Sequence, residues 1–352
     1  MRSKITYSFL LVMFGVSFTL LGQEKKEYYI QTIGFYNLEN LFDIYDDPEK
    51  FDDDRTPEGK DRWTQAVYQE KVKNMAYAIS RIGYKETNAP PALVGVCEIE
   101  NLTVLEDVVA DETLRDQDYG IIHYNSPDLR GIDVALLYQR KVFQPEHSVS
   151  HELVLYDPDE PEKRIFTRDQ LVVTGKLQGE RVHIIVNHWP SRSGGEKISS
   201  PKREKAAMLN KKIIDSLFRI DPYARIITMG DFNDDPHNKS LKQVLGAKAE
   251  KAALVRKDIY NPMASLSKKG IGSLAYRDGW NLFDQILVSE AFLLQDYSRY
   301  TFFKAAVFNE NFLATPTGQY KGYPFRSFGE GGFTGGYSDH FPVYILLIKE
   351  KL

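Results

Sequence analysis

Two rhythms of apolar residues run along the chain. Short apolar stretches that alternate, or run unbroken into a turn, predict strands; longer stretches with an apolar residue every third or fourth position predict helices. Tyr29–Tyr36 alternates loosely and stops at Asn37, which predicts a first strand. Trp63–Ile82 puts Val72, Met75, Ala76, Ile79 and Ile82 on one side, a helix with a core-facing stripe. Pro90-Pro91 breaks the chain, and Ala92–Cys97 is apolar throughout, as a strand buried on both faces requires. Leu102–Leu114 reads as a short helix; Tyr119–Tyr124, Ile132–Tyr138 and Leu153–Tyr156 read as strands. The clearest hairpin runs from Phe166–Leu177 through Gln178-Gly179 to Arg181–Val186.

A helix at about Glu204–Phe218 then leads into Ile226–Met229, a buried strand that ends at Gly230. Leu274–Arg277 and Asn281–Val288 predict a second hairpin, with Asp284 inside its second strand. Tyr300–Val307 and Val343–Ile348 are the last strands, and Phe312–Tyr337 between them is a long ordered loop rich in Gly, Pro and aromatic residues. Strands and helices alternate early and hairpins dominate later. That order predicts mixed sheets with helices outside, in one α/β domain covering 23–352.

Charge narrows the partners. Lys and Arg number 45 against 49 Asp and Glu, a formal net charge of −4. No bulk basic field attracts a polyanion, so local Arg and Lys or a bound metal must hold one. One Cys and seven His argue against a Cys-rich zinc site, and a single thiol excludes an internal disulfide. Arg2 and Lys4 precede Tyr7–Leu21, an uncharged apolar run with the build of a secretory signal peptide over 1–22, so the protein is expected to be exported. Periplasm, outer surface and full release are all compatible with it. An uncleaved anchor is the competing reading of the same run.

Against this background, polar groups at strand ends stand out. Asp231 and Asn233 follow Gly230 and point to one side if the chain stays extended. A plain turn is the competing reading. A calcium loop fits less well, because Pro236 stands where Gly is required and Lys242 where the bidentate Glu belongs. Glu98 closes a buried strand, where a carboxylate is expensive unless paired or bound to a cation. Asn37, His188, Asp339 and His340 also sit at strand ends, and Asp284 needs partners to stay charged. From Arg192 the chain passes Gly194-Gly195, Lys197, Lys202, Arg203 and Lys205, its most basic stretch, read as a phosphate-contacting loop or a solvated lead-in to a helix. The acidic segment Asp43–Asp54 reads as a solvated loop. Hard oxygen ligands without Cys suit Mg²⁺ or Mn²⁺, with Ca²⁺ also compatible, better than zinc. Oxygen-held metal with His and Arg is the equipment of phosphoryl transfer.

Asn37, Val94–Glu98, Val186-Asn187-His188, Met229–Asn233, Phe283–Ile286 and Ser338–Val343 occur in this order over about 29–348. Together they resemble the endonuclease/exonuclease/phosphatase superfamily. The resemblance implies a four-layer α/β/β/α sandwich with two face-to-face mixed sheets, and divalent-metal-dependent phosphoester hydrolysis. It implies metal binding by Glu98 with Asn37 and Asp339. It implies catalysis by His188, Asp231, Asn233, Asp284 and His340: Asp231 on the attacking water, Asn233 and His188 on the phosphate, Asp284 orienting a catalytic group, His340 stabilising the transition state. Arg168 resembles a position that grips substrate phosphate; Arg130 and Arg192 are added as phosphate contacts from their place in the loops.

The expected activity is that of an exported phosphodiesterase, a nuclease acting on DNA or RNA, working as a monomer without a stable protein partner. A phospholipid or small phosphoester hydrolase of the same superfamily is the alternative, and a non-catalytic surface binder the second.

Overall fold

The computed structural model describes residues 26–351, so the apolar run read as a signal peptide lies outside the described residues. Twelve strands make two sheets. The first sheet contains β1 (Tyr28–Leu41), β2 (Leu93–Ile99), β3 (Tyr119–His123) and β4 (Asp133–Gln139). The second contains β5 (Phe143–His151), β6 (Gln170–Leu177), β7 (Glu180–His188), β8 (Ile226–Asp231), β9 (Ile259–Tyr260) and β10 (Asp284–Ser289). The chain then returns to the first sheet as β11 (Thr301–Val307) and β12 (Val343–Glu350). Spatial order is β11-β12-β1-β2-β4-β3 in one sheet and β9-β10-β8-β7-β6-β5 in the other.

Each sheet has one parallel pair at its centre. β1 runs parallel to β2, with Asn37 opposite Cys97, and β8 runs parallel to β7, with Asp231 opposite His188. The neighbours β12 and β10 are antiparallel to β1 and β8, so they begin at the edge where the parallel pairs end. Three helices cover the outer faces: α1 (Gln65–Arg81) and α2 (Leu102–Ala110) on the first sheet, α3 (Glu196–Ile220) on the second.

Strand alternation assigns the layers. Ile33, Phe35, Leu93 and Cys97 face Val186, Ile227, Met229 and Ile286 across the space between the sheets. Tyr36, Leu38, Val94 and Val96 point the other way, onto Val72, Met75 and Ile79 of α1. Ile185, Ile226 and Leu287 meet Ile213, Ile214 and Phe218 of α3. Layer order is therefore helix, sheet, sheet, helix, as expected. The sheets close where Gly95 faces Met229, since a Cβ on Gly95 would lie 2.6 Å from the Met229 sulfur.

Three elements differ from expectation. β5 was not anticipated, because Phe143–His151 is polar and contains Pro145. It is an edge strand with a bulge between Pro145 and His147, the setting in which a sheet tolerates proline. α3 begins at Glu196, so Pro201 and the basic stretch from Lys197 to Lys205 are helical rather than loop. The second hairpin is confined to Leu274–Tyr276 and Gly279–Asn281, so Asp284 is not inside it; Asp284 opens β10 in the large sheet.

Candidate active site

The polar strand ends converge because of the parallel pairs. From the first sheet come Asn37 near the end of β1, Glu98 near the end of β2, and Ser338-Asp339-His340 just ahead of β12. From the second come His188 closing β7, Asp231 closing β8 and Asp284 opening β10. Asn37 Nδ2 donates to Asp231 Oδ2 across the cleft at 3.2 Å. The glycine in Gly230-Asp231-Phe232-Asn233 is required by close approach: a Cβ there would sit 2.3 Å from the Asn187 carbonyl oxygen. Asn187 in turn donates to the Met229 carbonyl at 2.9 Å and to Thr228 Oγ1 at 3.0 Å, knitting β7 to β8.

Two overlapping clusters result. Glu98, His188 and Asp231 each place one ligand atom within 4.8 Å of the others, and so do Asp231, Asp284 and His340. His188 Nε2 stands 3.7 Å from both the Glu98 and Asp231 carboxylates. Glu98 reaches this position at a bulge with φ of 58°, followed across the strand pair by Glu39 and Asn40 at 47° and 52°. Left-handed backbone at non-glycine residues costs about 1–3 kcal/mol each and collects at functional sites. The other Glu98 oxygen accepts the Asn40 N–H at 3.1 Å.

Electrostatics divides the two histidines. Burial, with Arg168 and Arg130 nearby, holds His188 well below the usual histidine range, so it is neutral. Burial acts the same way on His340, but Asp284 and Asp231 outweigh it and hold that ring well above its ordinary value. His340 Nδ1 lies 2.6 Å from Asp284 Oδ2, which fixes the ring and leaves Nε2 for the cleft. Burial pushes Asp231 up to about 7, with His340 pulling it down and Asp284 pushing it up. The Asn233 N–H donates to Asp231 Oδ1 at 2.9 Å.

Several residues expected to touch phosphate are braced by protein groups. Asn233 Nδ2 donates to the Trp189 carbonyl at 3.0 Å. Arg168 is buried, with Nη1 on Asp128 at 3.0 Å and Nη2 on the same Trp189 carbonyl at 2.8 Å. Arg192 donates to the Asn233 carbonyl at 2.9 Å, pairs with Asp234 at 3.2 Å and lies over the Phe283 ring. Arg203, from the basic stretch, is fully buried with Nε 2.8 Å from Asp234, an ion pair set off the hydrogen-bond direction. Arg130 is half-exposed, 3.6 Å from Asp128. Asp339 lies at the rim, paired with Arg326 at 3.2 Å and 4.0 Å from His340 Nε2.

Sequence reasoning missed a buried network behind the first sheet's half. Lys71 on α1 donates to Ser327 Oγ and, at 2.5 Å, to the Tyr337 carbonyl. Glu39 accepts the Ser327 N–H at 2.5 Å and faces Arg326 at 3.7 Å. Ser338 Oγ donates to the Asn37 carbonyl at 2.7 Å and accepts the His340 N–H at 3.1 Å, tying β1 to His340. Burial lowers the Lys71 ammonium to about 8 and raises the Glu39 carboxyl, also pushed by Asp339, to about 7. Ser338 was visible beside Asp339-His340; Lys71 carries no local signal, being one polar residue on a mixed helix.

The donor set fits a divalent cation. The partly buried carboxylate of Glu98 and the buried carboxylates of Asp231 and Asp284 crowd one edge, and Asp284 Oδ1 has no hydrogen-bond partner. Crowded, desolvated carboxylates are stabilised when a hard cation is shared among them.

Comparison with known proteins agrees with this geometry. The model of the Endonuclease/Exonuclease/phosphatase family matches residues 32–349. No curated protein matches the chain in sequence. Among solved structures, a family protein from Bacteroides thetaiotaomicron is 18% identical with a TM-score of 0.55, covering 92% of this chain and 98% of its own. A mannosyl-6-phosphatase from the same organism is 17% identical with a TM-score of 0.53, covering 92% and 100%. D. rerio TDP2 with a single-strand DNA product is 11% identical with a TM-score of 0.53, covering 90% and 98%. At these identities the likeness is one of fold.

Proposed function

Because the chain belongs to the endonuclease/exonuclease/phosphatase family, whose members are metal-dependent phosphoesterases, we propose that it is an exported nuclease that hydrolyses nucleic-acid phosphodiesters with Mg²⁺ or Mn²⁺. The observation that supports the reading is the overlap of the two clusters at Asp231, where a cation and a base would stand next to a histidine held protonated.

Glu98, with Asn37 and Asp231 beside it, would hold a divalent cation, which when bound would supply charge neutralisation at the phosphoryl oxygens. Asp231, oriented by Asn37 and by the Asn233 N–H, accepts the proton of the attacking water. His340, kept protonated and aimed by Asp284, donates from Nε2 to the phosphoryl oxygen on which charge develops. Neutral His188 offers Nε2 at the mouth between Glu98 and Asp231. Asp339 at the rim joins the cation's surroundings only if it leaves Arg326.

The relatives in this fold act on different esters, so substrate choice belongs to this chain's own loops. A second reading, a small or lipid phosphoester as substrate, is favoured by the net charge of −4, which offers a long polyanion no general attraction. Turnover of single-stranded DNA, RNA, sphingomyelin and sugar phosphates, each with Mg²⁺ and with EDTA, tests both. Nucleic-acid cleavage abolished by EDTA is expected; cleavage that survives EDTA, or turnover of small esters alone, overturns the nuclease reading. Export is checked by finding the protein, with 1–22 removed, outside the cytoplasm.

A further inference from the structure

The far edge of the second sheet, opposite the catalytic cleft, carries the most exposed large apolar side chain among the described residues, Ile220 at 84%. β8 leaves that edge at Ile226 and reaches the cleft at Asp231, so about 20 Å of strand separates the two. α3 ends there at Ile220. Residues 255–258 lie at the same edge, because the Glu290 N–H that follows β10 donates to the Asp258 carbonyl at 2.9 Å. Arg256 joins the two loops: its guanidinium lies over the Tyr223 ring, 4.3 Å from the centroid. Val255 is 67% exposed and Tyr223 52%, so three bare apolar side chains share one corner. Single exposed apolar residues are ordinary, but a group of them rimmed by charge marks a contact surface.

The rim is cationic. Arg219, Arg256 and Lys257 flank the apolar side chains, and Lys212 lies two turns back from Arg219 on the same face of α3. All four are exposed, and none forms an ion pair among the described residues; Asp215, between Lys212 and Arg219 on the helix, pairs with Lys211 at 3.0 Å. The two carboxylates of the loops brace their own turns: Asp221 accepts the Tyr223 N–H at 2.8 Å, and Asp258 the Val255 N–H at 2.9 Å. The Val255 carbonyl accepts the Asp258 N–H at 3.0 Å and Lys257 takes a φ of 73°, a tight turn that holds Arg256 and Lys257 at its tip.

Cations around a bare apolar centre match an anionic lipid surface, where apolar side chains enter the acyl boundary while Lys and Arg stay among the headgroups. Tyr223, an amphipathic ring beside Arg256, suits the headgroup level. A nucleic acid would answer the cations but leave Ile220 and Val255 in water, and a second copy of this chain would set the same cations against one another. We propose that this corner docks the protein on an anionic lipid membrane as a peripheral contact. Docking here is independent of which ester is cleaved, and it turns the cleft away from the lipid, towards soluble substrates.

Flotation of the purified full chain with phosphatidylcholine vesicles, with and without phosphatidylglycerol, tests it. Binding that is stronger on the anionic vesicles and falls with added NaCl is expected. Arg219→Gln with Arg256→Gln and Lys257→Gln should lower the anionic-vesicle partition coefficient about a hundredfold, at about fivefold per cation near the surface. Ile220→Ser with Val255→Ser should lower it about tenfold or more. All five side chains are exposed, so unfolding midpoints should match wild type and lost binding cannot come from lost fold. Cys97 is buried, so an environment-sensitive dye on Val255→Cys marks one site, and its emission should shift to the blue on anionic vesicles. A dye that stays in water, or partition unmoved in both variants, assigns any binding elsewhere, the apolar run at 7–21 included, and overturns the corner. Loss in the charge variant alone, with an equal loss of single-stranded DNA binding, assigns a polyanion instead and overturns the lipid.

Discussion

The first sheet delivers Asn37, Glu98 and His340 to the cleft, and the second delivers His188, Asp231 and Asp284. In both, two side chains come from the ends of a central parallel pair and one from the start of an antiparallel neighbour. The supports behind them differ. Behind the second sheet, Arg203 and Arg192 clamp Asp234, three residues past Asp231. Behind the first, Lys71 holds the loop ahead of His340 through Ser327 and the Tyr337 carbonyl, beside Glu39. A guanidinium keeps its charge at any working pH, whereas a buried ammonium gives its proton up readily. One half of the site is clamped by permanent charge and the other by a group that titrates.

The largest effects should come from exchanging one cleft group on each side. Asp231→Asn should lower kcat by at least about 10³, the scale of a lost base and a preorganised site. Glu98→Gln should instead raise the Mg²⁺ concentration giving half-maximal rate by about tenfold or more. Metal titrations of both variants would show the division of labour to be wrong if Glu98→Gln lost rate with its metal requirement intact.

Next in size is the arginine clamp. Arg203→Met leaves Asp234 with only the partly exposed Arg192 as a cationic partner, and breaking a buried pair typically costs about 3–5 kcal/mol. Urea unfolding would measure it; a loss near zero would mean that Asp234 is solvated when its partner is gone. Lys71→Met should cost less, about 2 kcal/mol, because Glu39 keeps the Ser327 N–H and Arg326 as partners.

The smallest effect separates the two supports by pH. Lys71 titrates at about 8 in the folded protein against an ordinary 10.5, so between those values the native state binds fewer protons than the unfolded chain. Its contribution to stability must therefore rise as pH rises through that window, and the advantage of wild type over Lys71→Met should grow from pH 8 to 10.5. The gap between wild type and Arg203→Met should stay flat there. A Lys71→Met gap that narrows with rising pH would contradict a lysine whose pKa is lowered by burial.

Most strands could be read in advance because an apolar run ending in a turn is a local signal, as at Leu93–Ile99 and Ile226–Asp231. The polar residues just beyond those runs could be read with them, since Glu98 and Asp231 have no local reason to close a buried strand. The edge strand Phe143–His151 could not, because its exposed, polar, proline-containing residues carry no burial pattern. The basic stretch after Arg192 misled for a related reason. A charge run looks solvated until Arg203 is seen fully buried against Asp234.

The order of hydrophobic runs was sufficient to predict mixed sheets with helices outside, and the motifs at their ends carried the family resemblance that implied the layered architecture and candidate residues for phosphoester chemistry. Those are properties of neighbours along the chain. Only the tertiary structure decided that Asn37 bonds Asp231 from 194 residues away, that Arg168 and Arg192 are braces, and that Lys71 stands behind the cleft. Desolvation and ion pairing act through space, and the pairs they select leave no mark in the spacing of residues.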